Sequence, residues 1–151
     1  MLFRSVPTLQ GVVDATMDFV IMVDTISLGG AKRPGFQLLS ATDYMVSNGV
    51  IGGMGVFSPL SGVAPRLVKQ VYELCVAQKF TQARADQENL GELAHRVKMA
   101  GLAGLKGALR AMGRDCGRPR LPARALTAAE QGALASDLQA MQFLQAEPRG
   151  W

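Results

Sequence analysis

Two acids stand just past short apolar runs: Asp14 after Leu9–Val13, and Asp43 after Phe36–Ser40. If those runs are parallel strands, both carboxylates sit at C-terminal strand ends, where barrel active sites gather. An acid pair can move protons, but it needs a neighbouring amine, histidine or metal ligand to complete a site, and the sequence marks none beside them. For Asp43 the alternative is to cap the helix that follows. Imine chemistry would need a primary amine that can lose its proton near neutral pH. Lys32 and Lys106 are the amines nearest the relevant segments. Lys32, followed by Arg33 and Pro34, reads as a solvated loop lysine, and Lys106 reads as a structural or surface-facing helix lysine. His95 is the single histidine, placed mid-helix between Ala94 and Arg96. With no second His or Cys at ligand spacing, it does not predict a zinc site. Gly49, Gly52, Gly53 and Gly55 lack the Gly-Lys-Ser/Thr ending of a phosphate loop and predict close strand–helix packing instead.

The elements that must position these residues alternate. Leu9–Val13 predicts a buried strand. Met17–Ile26 predicts a helix, with Phe19, Val20, Met22, Val23 and Ile26 at helical spacing, Asp18 as cap or first-turn acid, and Gly29-Gly30 as its stop. Phe36–Ser40 is the second strand, Thr42–Ser47 a short helix ending at Asn48-Gly49, and Val50–Phe57 the third strand. Apolar strands separated by helices are the pattern of a parallel sheet covered on both faces. After Pro65 the rhythm becomes helical. Leu67, Val68, Val71, Tyr72, Leu74 and Cys75 make one stripe, followed by helices over Thr81–Met99 and Leu105–Met112, the latter ended by Gly113. A last helix opens on Thr127 with Glu130 three residues later, a capping box. Leu134, Leu138, Met141 and Leu144 line one of its faces, and Pro148 bars further helix.

Composition bounds the rest. The 151 residues are 48% hydrophobic and 19% charged, with a net charge of +4. That is globular, with a surface sparse enough in charge for some helical faces to expect a partner. Arg114, Arg118, Arg120 and Arg124 form the only local basic cluster, either a solvated loop and helix start or an anion or partner patch. No aromatics interleave with it to stack bases, so nucleic acid is not expected. No stretch has the length of apolar residues needed to span a membrane. Met1–Gly11 is a poor signal peptide and reads as abrupt entry into a strand. Cys75 and Cys116 make neither a metal site nor a disulfide framework, and a reducing, cytoplasmic compartment is the expectation.

Val50–Arg66, VIGGMGVFSPLSGVAPR, resembles the last strand and loop of a (β/α)8 barrel of the pyruvate-dependent aldolase family, which includes dihydrodipicolinate synthase and N-acetylneuraminate lyase. Gly11–Thr16, GVVDAT, resembles the family's Gly-Ile-Lys-Glu-Ala-Thr. The family lysine forms the imine with pyruvate, and its position here holds Val13. Ser40-Ala41-Thr42-Asp43 resembles Ser-Gly-Asp-Asp, with Ala41 in place of the glycine that lets substrate approach the backbone. Gly55-Val56-Phe57-Ser58 resembles Gly-Val-Ile-Ser, and the residue at the Phe57 position borders the family's substrate pocket. Ser61–Pro65, Leu105–Leu109 with Gly113, and Arg120-Leu121-Pro122 resemble further family segments in the same order. The family's proton-relay tyrosine lies on the strand before Gly11 and its pyruvate-carboxylate loop earlier still; neither occurs in this sequence. Tyr44 and Tyr72 are not placed to replace the tyrosine.

The resemblance implies an α/β chain built as a partial (β/α)8 TIM barrel: about three parallel strands followed by a C-terminal helical region. Residues 1–66 would be the last three barrel strands and their helices, and residues 67–151 C-terminal helices packed on them in the same domain. It implies a truncated family member, catalytically inactive by itself, with vestigial substrate-binding positions at Ala41 and Phe57. The alternatives are an active carbon–carbon or carbon–oxygen lyase, and a binding or scaffold piece that completes a split barrel. No cofactor or metal is implied. The implied partners are a further copy of the chain or an N-terminal barrel polypeptide, and a small oxo-acid ligand.

Overall fold

The computed structural model describes residues 6–150. The opening Met1–Ser5, part of the segment read above as a poor leader, lies outside the described residues. The described chain falls into two compact units. The first holds the chain up to Ser58 together with Val71–Arg84; the second holds Pro59–Gln70 together with the chain from Ala85 onward.

The first unit is built on three parallel strands, β1 (Gly11–Asp14), β2 (Gln37–Ser40) and β3 (Gly55–Val56), in the order β1-β2-β3. This is the expected partial barrel: three parallel strands, not closed, followed by helices. Val13 pairs in register with Leu39, and Leu39 with Gly55. Side chains alternate across a strand, so these three positions share one face, and Leu38 and Ser40 share the other. Leu38 and Ser40 are both 1% exposed, on a strand contacted by α1 (Phe19–Lys32) and α2 (Met45–Val50). Met22, Phe36, Met45, Val71, Cys75 and Ala83 complete this core.

Several boundaries differ from the sequence reading. Asp18 does cap α1, its carboxylate accepting from the N–H groups of Val20 and Ile21 at 3.0 and 3.2 Å. The helix does not stop at Gly29-Gly30, however, but runs to Lys32. Gly29 is there for packing: a Cβ at this position would run into the Phe36 ring. Lys32 is therefore an exposed last-turn helix lysine rather than a loop lysine, well placed against the negative helix end. Likewise α2 begins at Met45 and runs through Asn48-Gly49 to Val50, which shortens β3 to Gly55–Val56. The buried Asn48 amide explains the switch, because it donates to the Gly55 carbonyl at 2.6 Å and ties the helix to the strand.

Helices build the second unit, from residues of α3 (Pro65–Val76) and α4 (Phe80–Lys98) with α5 (Gly101–Ala111) and α6 (Ala128–Ala140). Leu60, Val63, Leu93, Met112, Leu138 and Leu144 are among its most buried side chains. The α5 start at Gly101 is four residues earlier than Leu105, and Gly113, at φ +82°, ends it as expected. The capping box forms as expected: Thr127 Oγ1 accepts from the Glu130 N–H, and the Thr127 N–H donates to the Glu130 carboxylate at 2.8 Å. Met141 and Leu144 are buried as expected but lie past α6, in a short 3₁₀ turn and the residue before it. Two buried charges tie the chain end down. Arg114 donates to the carbonyls of Gly62, Pro148 and Gly150. Glu147 accepts from the N–H groups of Arg66 and Leu67, first-turn donors of α3 that have no acceptor within the helix.

Candidate functional site

The C-terminal ends of β1, β2 and β3 bring Val13, Ala41 and Phe57 to one end of the sheet. Val13 is the third residue of β1, Ala41 follows β2 directly, and Phe57 follows β3. Ladder bonds lock the three ends together: the Ala41 N–H donates to the Asp14 carbonyl and the Phe57 N–H to the Ser40 carbonyl, both at 2.7 Å. Val13 is 49% exposed and Phe57 70% exposed, while Ala41 is half-buried. β1 and β3 are both edge strands of this sheet. Phe19, Val20, Ile21, Val23 and Leu28 on α1 are also exposed.

The polar groups at the strand ends are mostly engaged with one another. Asp14 accepts from both the N–H and the hydroxyl of Thr16, at 2.9 and 2.7 Å, and the Thr16 hydroxyl accepts from the Asp18 N–H. This relay of short-range bonds turns the chain out of β1 into α1, so Asp14 has a structural task. The hydroxyls of Ser40 and Thr42 share a hydrogen bond of 2.7 Å. The cap position of α2 is Tyr44, which makes no side-chain capping bond. Asp43, the residue before it, is 3% exposed and accepts a hydrogen bond from the Ser58 hydroxyl, which pins the β2–α2 turn to the residue after β3. Sequence reasoning missed both pairs: Asp43–Ser58 joins residues distant in sequence and has no local signature, whereas Ser40–Thr42 lies within one turn. The Ser-x-Thr spacing at residues 40–42 was the one available signal.

These groups supply hydroxyls and a buried carboxylate, but no amine. Lys32 ends α1, exposed, and Lys106 belongs to the second unit, where it donates to three backbone carbonyls. His95 is exposed on α4, also in the second unit. Among the described residues no group of three or more His, Cys, Asp and Glu stands together to hold a metal. No described helix is long and apolar enough to cross a membrane. Elsewhere in the first unit a concavity of about 490 Å³ is lined by Met45, Val50, Met54, Cys75 and Phe80 among others. Burial pushes the Cys75 thiol up from its ordinary value, which favours the thiol over the nucleophilic thiolate.

The model of the dihydrodipicolinate synthetase family matches residues 2–141. An uncharacterized DapA-like lyase of Halobacterium salinarum is 31% identical over 135 residues, covering 88% of this chain and 43% of that protein. The 4-hydroxy-tetrahydrodipicolinate synthase of Corynebacterium jeikeium is 34% identical over 121 residues, covering 74% of this chain and 40% of the enzyme. The chain therefore spans less than half the length of these relatives. Among solved structures, a putative dihydrodipicolinate synthetase from Pseudomonas aeruginosa superposes with a TM-score of 0.80 at 24% identity, over 93% of this chain and 48% of that one. An Escherichia coli prophage protein of the dihydrodipicolinic acid synthase family, solved with pyruvate, gives 0.80 at 18% identity, over 94% and 49%. At these identities the structural likeness speaks for the fold.

Proposed function

Because the chain belongs to the dihydrodipicolinate synthetase family, a family of pyruvate-dependent lyases and aldolases, we propose that it acts as the C-terminal half of such a barrel and forms no imine itself. Val13 carries this reading. It lies near the C-terminal end of β1, at the position the resemblance gives to the imine-forming lysine, and a valine side chain has no nucleophile. Ala41 and Phe57, on the two neighbouring strand ends, are the proposed remnants of the substrate pocket. A small oxo acid is the ligand such a pocket would take once completed.

The proposed partner is a polypeptide segment carrying the barrel units that relatives have before this region. Three features support it. The chain spans less than half of its relatives' length. β1 is an edge strand, and a free edge is a template for another strand. The exposed apolar residues of α1 give that helix two apolar sides, as in helices buried by a larger body.

The test is sedimentation velocity on the full chain, alone and mixed with a polypeptide carrying the first five strand–helix units of a relative. The proposal expects the chain alone to self-associate or stay poorly soluble, and the mixture to form a 1:1 species. A compact monomer at high concentration that ignores the added polypeptide would overturn it.

A further inference from the structure

The second unit separates the sequence's basic cluster into residues with different tasks. Arg114 is buried on backbone carbonyls. Arg124 is paired with Glu130 at 2.6 Å. Arg118 lines a cavity of about 330 Å³ between α5 and the start of α6, built from second-unit residues alone. Lys106 and Arg110 line the same cavity. They stand four residues apart on α5 and so share a helix face. The volume is at the lower end of the roughly 300–1,000 Å³ typical of small-ligand sites.

The two α5 cations are fixed in place by the chain itself. Lys106 Nζ donates to the carbonyls of Cys116, Arg118 and Gly117 at 2.9, 3.2 and 3.4 Å. Arg110 makes a two-pronged bond to Asp115, at 3.1 and 3.0 Å. That hydrogen bond, with another from the Gly117 N–H, holds the Asp115 carboxyl below its ordinary range. Carbonyls hold the Lys106 ammonium without cancelling its charge. Counting Lys106, Arg110 and Arg118 against Asp115, three positive charges face one negative, a net of +2. Stapling the 115–118 loop accounts for Lys106 and Arg110. It does not account for Arg118, which makes no ion pair among the described residues.

We propose that this cavity binds a small dianion, a phosphate group or a pair of carboxylates, with Arg118 as the contacting donor. Lys106 and Arg110 supply a positive wall that needs no rearrangement when the anion arrives, which lowers the cost of binding.

The experiment is isothermal titration of the full chain with inorganic phosphate and, separately, succinate, at low ionic strength and against a chloride control. Two charge reversals are compared: Arg118→Glu in the cavity and Arg84→Glu, an exposed α4 residue outside it. Both positions are solvent-facing, and circular dichroism checks that each variant folds. The expected result is saturable binding of at least one anion, weakened about tenfold or more by Arg118→Glu (about 1.4 kcal/mol per tenfold) and little changed by Arg84→Glu. Saturation by phosphate alone or succinate alone supports the proposal and identifies which dianion the site prefers. Absence of saturation by either, no effect of Arg118→Glu, or equal weakening by both variants would overturn it.

Discussion

Replacing Glu147 with alanine removes a side chain that satisfies two N–H groups in the first turn of α3. In the native chain its carboxylate accepts from the Leu67 N–H at 2.7 Å and the Arg66 N–H at 3.0 Å, and the residue is 6% exposed. A hydrogen bond to a charged group is worth about 1.5–3 kcal/mol net, and a negative charge at a helix N-terminus adds about 0.3–1 kcal/mol. Water entering the vacated space recovers part of this, so the expected loss is about 2–4 kcal/mol. Glu147→Gln keeps one oxygen acceptor and loses the charge, and should cost about 1–2 kcal/mol, within the range for lost helix caps. For a chain of this size about 3 kcal/mol lowers Tm by about 6–12 °C. The assay is urea unfolding followed by far-ultraviolet circular dichroism, with the three proteins compared at one pH and temperature. An alanine variant within about 0.5 kcal/mol of wild type, or a glutamine variant less stable than the alanine variant, would refute the capping argument.

Three further outcomes are expected. Val13→Lys should not create imine turnover: at a half-exposed position the amine keeps a pKa near 10.4, leaving about 1 in 2,500 neutral at pH 7, as pyruvate-dependent aldol cleavage measured from neutral to alkaline pH will check. Glu130, held down to about 2 first by its hydrogen bond to Arg124 and then by Thr127, contributes stability that is full above its ordinary 4.5 and is lost as pH falls from there toward 2. The Glu130→Gln variant should therefore lose less stability than wild type over that window in acid unfolding. Gly29→Ala should destabilise by about 1 kcal/mol in thermal unfolding, because overlap with Phe36 costs about 1–3 kcal/mol and outweighs the helix-propensity gain of about 1 kcal/mol.

What could be read from sequence here was periodic or local. Strand–helix alternation gave the three parallel strands, and local chemistry gave the Asp18 cap, the Thr127–Glu130 box and the Gly113 stop. The failures share one cause, which is that distant residues override local preference. Gly29 reads as a helix stop until Phe36 is seen to need its missing side chain. Asn48-Gly49 reads as a turn until the Asn48 amide is seen bonded to Gly55. Of the strand-end positions, Val13, Ala41 and Phe57 were located by resemblance, and the ladder bonds then set them side by side. The basic cluster was visible as a run of arginines. That Arg118 joins Lys106 and Arg110 around a cavity, while Arg114 and Arg124 do not, required the α5–α6 packing.

The proposed half-barrel, with valine near the end of β1, forms no imine. The direct measurement is the intact mass of the wild-type chain after incubation with pyruvate and borohydride at neutral to alkaline pH. The expected result is an unchanged mass, under conditions in which a lysine-bearing family enzyme gains one reduced pyruvate. A stoichiometric pyruvate adduct on the wild-type chain, mapped to any lysine, would contradict it.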